Sequence, residues 1–394
     1  MIQTFIAYTD EIDDIDLAVE TICTQLSDCS GGNDHTLGIL VCHPEFVHSG
    51  VTAAVVAALP FPVVGMSTQC VGVGPLPESD LDLGEGALRL TMLVFQGERV
   101  RYEIVRSGAL PDDIEMTTLM HRMLADRDIP GMLLAFTPDY STLSCAALCQ
   151  AVSETMPGIP LFGGVGVDDS PLYNEDCFVI TPDGPLKNEL VMVLVHDKEV
   201  PRFFTASVPP ERVMNGCWRV TDAKGSLLRA VDGHPVTEFL ADFGLTRSLA
   251  QDGALTGLSL LVKEPNKPPY SRTMLSLNAE GDLLCGGGMP RESEIRLARF
   301  EKSAMLLAAQ NLLKEAFDES REPVALLVWC CATRAAVLGD DVLAEIHLLR
   351  QAAKDIPFLL AYAGGEICPG IGEDGQLYNQ FHNQSFTMCV LYKS

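Results

Sequence analysis

The chain has 394 residues, 47% hydrophobic and 20% charged, a globular composition long enough for more than one core. A formal net charge of −26 and the absence of any run of Lys or Arg argue against a nucleic-acid surface and against attraction to anionic lipid. No apolar stretch reaches the roughly 18 residues of a membrane span, so no membrane contact is expected.

The first residues, MIQTFIAYTDEIDD, turn acidic at once and lack the basic and long apolar regions of a secretory signal, which points to a cytoplasmic protein. The charge is uneven: residues 1–198 carry a balance of −21 and residues 199–394 one of −5. The first structural unit is GILVC (38–42), an Ala/Val-rich helix and LPFPVVG (59–65). ALRLTMLVFQGERVRYEIV (87–105) reads as a hairpin about Gln96-Gly97. A second unit follows: GMLLAF (131–136), a helix near 142–155 and GIPLFGG (158–164). DCFVITPDGPLKNELVMVLVHD (176–197) reads as a hairpin about Pro182-Asp183-Gly184.

The Pro-rich stretch 199–216 marks a domain boundary, giving parts 1–210 and 211–394. Two further hairpins are expected at 217–231, turning at Lys224-Gly225, and at 273–287, turning at Glu280-Gly281. Residues 291–317 carry apolar spacing near 3.6 and predict the longest helix. The last unit is VALLVWCC (324–331), a helix near 340–353 and IPFLLAYAGG (356–365). Continuous apolar runs bounded by polar turns suit strands covered on both faces. The expected fold is therefore α/β: two lobes with mixed sheets covered by helices, built from repeated strand-helix-strand-Gly units plus β-hairpins.

Thirteen cysteines occur without a CxxC pair and mostly inside apolar runs, as reduced thiols acting as small hydrophobes do. Neither GVGVGP nor GGVGVDD is G-x-G-x-x-G, no GK[ST] follows them, and GMST is not a nucleophile elbow. Each unit nevertheless ends in a glycine loop where open α/β sheets usually bind ligands: GMSTQC, GGVGVDDS and GGEICPG. Ser67 and Thr68 stand in the first loop, Gly163 and Gly164 in the second, Gly364 and Gly365 in the third, after Tyr362. The glycines serve equally well to let two elements approach closely. Asp168 and Asp169 read as an acid–base pair or as turn and capping residues, and His43 as a site residue or a turn hydrogen-bonder. Arg334, past a buried strand, is placed to grip a carboxylate or phosphate, or to pair with Glu366 or Glu345.

Residues 218–240 and 270–297, CCATR (330–334) with Leu338-Gly339 and Glu345, and above all YAGGEI (362–367) followed by HNQSF (382–386) carry a resemblance to the FIST family, with its consecutive FIST N and FIST C domains. LPFPVVGMST (59–68) and LFGGVGVDD (161–169) are similar to its strand–glycine loops, although QCVGV (69–73) stands where the family often has Gly-Glu-Ile. On this resemblance 1–210 is FIST N-like and 211–394 FIST C-like.

The resemblance implies a sensory module that recognises small molecules, amino acids among them, and signals through a separate protein partner in trans. In that reading Arg334 anchors an acidic group, Glu366 accepts from an amine or holds Arg334, and Asn383 supplies an amide hydrogen bond. No cofactor is required. Some family members are haem-based gas sensors, for which His43, His121, His347 and His382 are the ligands to test. The rival reading is an enzyme on a small acidic or amide substrate, using Ser67/Thr68 or Asp168/Asp169 with His43; a ligand-free interaction protein is a third.

Overall fold

The computed structural model describes residues 2–29, 34–76, 88–111, 114–139, 141–170, 173–245, 254–317 and 321–393. All three strand-helix-strand units form. Thr36–Cys42 pairs in parallel with Val63–Ser67, Met132–Thr137 with Leu161–Val165, and Pro323–Cys331 with Phe358–Ala363. The first strands of the first two units are buried along their whole length. Helices cover one face of each sheet, and the other face meets a shared core, so no position on these strands alternates toward water.

Each unit founds its own sheet, and the three sheets share one plan. In each, the last strand of the unit runs antiparallel beside the first parallel strand: Leu90–Gln96, Glu189–His196 and Phe386–Tyr392. Outside it lies the strand that opens the unit: Gln3–Thr9, Arg101–Ala109 and Arg202–Ala206. The strand after each glycine loop leaves home. Val71–Gly74 joins the third sheet, Val179–Thr181 the first and Glu366–Ile371 the second. The sheets thus exchange strands around a ring.

Their inner faces meet in one core around Trp329, which stacks on Phe162 with ring centroids 6.1 Å apart and meets Phe136 edge-on at 6.3 Å. Helix pairs close the outer faces, for example Met116–Leu124 with Cys145–Thr155 on the second sheet. Ser144 caps the latter helix by accepting from the Ala147 N–H.

Between Arg202–Ala206 and helix Lys302–Phe317 the chain inserts a seven-stranded antiparallel sheet with its own core of Val220, Leu260, Met274 and Leu297. Trp218–Lys224 pairs with both Glu294–Arg299 and Leu227–Val231, closing six of the strands into a barrel. The hairpins expected at 217–231 and 273–287 form there, with Lys224 opposite Leu227 and Leu277 opposite Leu283.

Three expectations are corrected. Leu90–Gln96 and Arg101–Ala109 do turn near Gly97, but they pair in different sheets rather than with each other; residue 87 of that stretch lies outside the described residues. In 176–197 only the short Val179–Thr181 and Gly184–Leu186 form a hairpin, while Glu189–His196 crosses to the second sheet. The helix expected from 291 begins at Lys302, because Glu294–Arg299 is a strand in which Ile295 and Leu297 face the core and Glu294, Arg296 and Arg299 face solvent.

Candidate functional site

The three glycine loops meet, joined by backbone hydrogen bonds. Val167 N–H donates to Ser67 O at 3.2 Å, Gly364 N–H to Val165 O at 2.8 Å, and Tyr362 N–H to Cys70 O at 3.0 Å. The glycines are explained by packing. A Cβ on Gly163 would stand 2.1 Å from Ala135 O, and one on Gly164 would stand 2.5 Å from the Met66 side chain. A Cβ on Gly364 would press on Gly166 O at 3.0 Å, and Gly365 combines a φ of +150° with Phe381 across from it. Ser67 and Thr68 are buried; Ser67 Oγ accepts from Phe178 N–H and Thr68 Oγ1 donates to Cys70 O.

Asp168 closes its own loop by accepting from Ser170 N–H, Ser170 Oγ, Glu175 N–H and Asp176 N–H. Asp169 points out and takes His43 Nε2 at 2.6 Å. His43 Nδ1 accepts from Glu45 N–H at 3.3 Å, which assigns the proton to Nε2. Both ring nitrogens are occupied, and neither faces Ser67 or Thr68. Of the other histidines, His121 and His347 stand exposed on separate helices, and His382 Nε2 hydrogen-bonds Cys368 O. The four lie on four different elements.

Arg334, Glu366 and Asn383 come from distant stretches and do approach one another, but as parts of a packed network. Arg334 is fully buried, and Glu345 takes its Nε at 3.0 Å and also its Nη2. The remaining donors reach Gln384 O at 3.0 Å and Met305 O at 3.3 Å. Tyr362 Oη donates to the other Glu345 oxygen at 3.0 Å. Burial disfavours the Arg334 charge, yet Glu345 outweighs it and holds the guanidinium protonated. Of the two structural partners the sequence left open, Glu345 is the one it takes.

Glu366 accepts from Ser385 N–H at 3.3 Å through Oε2; among the described residues its Oε1 has no partner. Burial lifts its carboxyl well above the usual range, with Arg334 and the Ser385 N–H pulling the other way. The neighbouring Cys331 thiol is pushed up to about 12 by burial and by Glu366. Asn383 Oδ1 accepts from Thr273 N–H at 3.4 Å.

An open concavity lies nearby. A groove of about 640 Å³ runs between helix Cys145–Thr155, the loop and strand containing Glu264, Lys267, Tyr270 and Arg272, the turn Gly288–Pro290, and strand Leu377–His382. Arg272, 2% exposed, is set in its wall. Its guanidinium lies 4.3 Å from the Tyr270 ring centroid and donates to Phe381 O, Ser271 O and Gly288 O. Glu264 takes Lys267 Nζ at 2.8 Å and Tyr270 Oη at 3.0 Å. None of these four residues was singled out from the sequence. The available signal was a cation where the alternation of Tyr270 and Met274, both in the barrel core, calls for an apolar residue.

Comparison with known families matches a FIST N domain to residues 36–234 and a FIST C domain to residues 237–369. No curated protein matches the chain. Among solved structures, PurLQS from Thermotoga maritima aligns at 11% identity and a TM-score of 0.20, over 100% of this chain and 73% of that one. PurL of T. maritima complexed with ATP aligns at 9% and 0.22, over 99% and 72%. These likenesses are too distant to carry an argument. The groove is walled by residues of both matched domains, with Ala146 and Ser153 from the first and Tyr270 and Met289 from the second.

Proposed function

Since this chain belongs to the FIST family, whose domains are associated with sensing in signal transduction, we propose that it is a sensory module binding a small polar ligand in this groove. Amino acids are among the candidates. The observation that carries the reading is that the groove's walls come from both family domains, so a ligand there contacts both at once. One wall, strand Leu377–His382, runs directly into the turn 383–385, whose groups hold Arg334 and Glu366. Occupancy of the groove thereby bears on the buried network, and a separate partner protein would read the change. Arg334 serves this reading as part of the frame, because its donors are filled by Glu345, Gln384 and Met305.

Among the described residues no helix is long and apolar enough to cross a membrane. The test is a thermal-shift panel of amino acids and other small polar compounds on wild type and Ala147→Trp, whose added indole would fill the groove. A ligand at ~100 times its Kd adds roughly 2.7 kcal/mol and should raise the midpoint of the wild type alone. If no compound raises it, or if Ala147→Trp responds equally, the reading fails.

A further inference from the structure

We infer that the ligand taken by this groove is a monocarboxylate with an apolar body, its carboxylate seated on Nη2 of Arg272. The inference rests on the groove being the sensory site and adds the chemical class. Arg272 has five N–H donors. Nε donates to Gly288 O at 3.1 Å, and Nη1 donates to Ser271 O at 3.1 Å and Phe381 O at 2.7 Å. Among the described residues nothing accepts from Nη2, and no carboxylate lies in ion-pair range of the guanidinium.

The contrast with Arg334 is informative. Both arginines are almost wholly buried, but Arg334 pairs directly with Glu345, whereas Arg272 lines the groove and feels Glu264 only at longer range, that carboxylate being taken by Lys267 and Tyr270. A desolvated cation needs a counter-charge, and the open volume next to Arg272 is where one can enter. The Tyr270 and Phe381 rings, at 4.3 and 5.4 Å from the guanidinium carbon, hold the guanidinium in place without neutralising it.

The rest of the groove narrows the class. Glu154 stands on its wall, Lys267 there is already taken by Glu264, and the chain as a whole is at −26, so a second negative charge on the ligand meets no further unpaired cation among the described lining residues. With Nε and Nη1 already donating to carbonyl oxygens, an anion here is held through Nη2 alone rather than through the paired fork. Ala146, Cys149, Met289, Pro290 and Phe381 supply apolar wall for a short hydrocarbon or aryl body.

The test is isothermal titration of the full chain with acetate, butyrate, phenylacetate, phenylacetamide and inorganic phosphate. Wild type is compared with Arg272→Met, Arg272→Lys and Ala147→Trp. Affinity should rise from acetate to phenylacetate. The neutral amide and the Arg272→Met variant should each lose about 100-fold, the scale of a lost charged hydrogen bond, with Arg272→Lys retaining part of the binding. Should Arg272→Met fail to fold, the acid–amide comparison on wild type decides alone. An amide that binds as tightly as the acid and is blocked by Ala147→Trp overturns the carboxylate assignment while leaving the groove a ligand site. Preference for phosphate does the same. No binding by any compound removes both.

Discussion

Arg272 and Arg334 donate to carbonyl oxygens three positions apart, those of Phe381 at 2.7 Å and Gln384 at 3.0 Å. The end of strand Leu377–His382 and the turn after it are thus gripped by two buried guanidiniums arriving from different parts of the fold, one from the barrel and one from the short helix Ala332–Leu338. Ser385, next in line, donates its N–H to Glu366. The FHNQS segment is therefore where the groove, the barrel and the three-sheet body are tied together.

Removing one partner of the sealed Arg334–Glu345 pair leaves an uncompensated charge. Arg334→Met should lower the unfolding free energy by about 3–5 kcal/mol, and adding Glu345→Gln should restore much of it. Denaturant titration of the two variants checks this. A single variant within 1 kcal/mol of wild type would show that the pair is not what neutralises Glu345.

The raised carboxyl of Glu366 has a definite pH signature. Its folded-state pKa lies above the unfolded value of about 4.3, so its stabilising contribution is complete below that pH and is lost as pH rises toward the folded value. Glu366→Gln removes the ionisation. It should gain on wild type with increasing pH, at no more than ~1.4 kcal/mol per pH unit. Urea midpoints of both proteins from pH 4 to 8 provide the comparison, and a difference independent of pH would contradict it.

His382 behaves in the opposite sense. Burial, reinforced by Arg272, depresses its pKa to about 4, with its hydrogen bond to Cys368 O opposing. Folding then favours the neutral ring, so its contribution is present above about pH 6.5 and is lost as pH falls toward 4. Imidazole NMR should find one ring that stays neutral down to roughly that pH. If every histidine titrates near 6.5, the environment assigned to His382 is incorrect.

Gly163→Ala tests whether the second glycine loop exists for packing. The new methyl would meet Ala135 O, a backbone atom that cannot swing aside, and should cost about 1–3 kcal/mol or more. Gly158 is a useful control for φ rather than contact, since it has φ +78° and open space around it. A Gly163→Ala protein with wild-type stability would show that the two strands can separate without cost.

The sequence made the three strand-helix-strand units legible because their strands are covered on both sides, which writes an unbroken apolar run. Partner choice was not legible. Nothing local to Leu90–Gln96 or Arg101–Ala109 says that a tight turn will deliver them to different sheets, since that is decided by pairing with residues 80 to 95 positions away. Arg334 was recognisable as a charge at the end of a buried strand, but the identity of its counter-ion depends on the helix Ala344–Ala353 swinging Glu345 against it. Arg272 was hidden for a related reason. Its importance lies in the missing counter-charge, which only three dimensions reveal.

The ring of lent strands means that the nascent polypeptide cannot be finished piecemeal. The second sheet borders its own parallel pair with Glu366–Ile371, and the third waits in turn for Val71–Gly74 to be claimed. A ribosome that has released the first two hundred residues has therefore delivered one sheet lacking an edge and one strand with nowhere yet to dock.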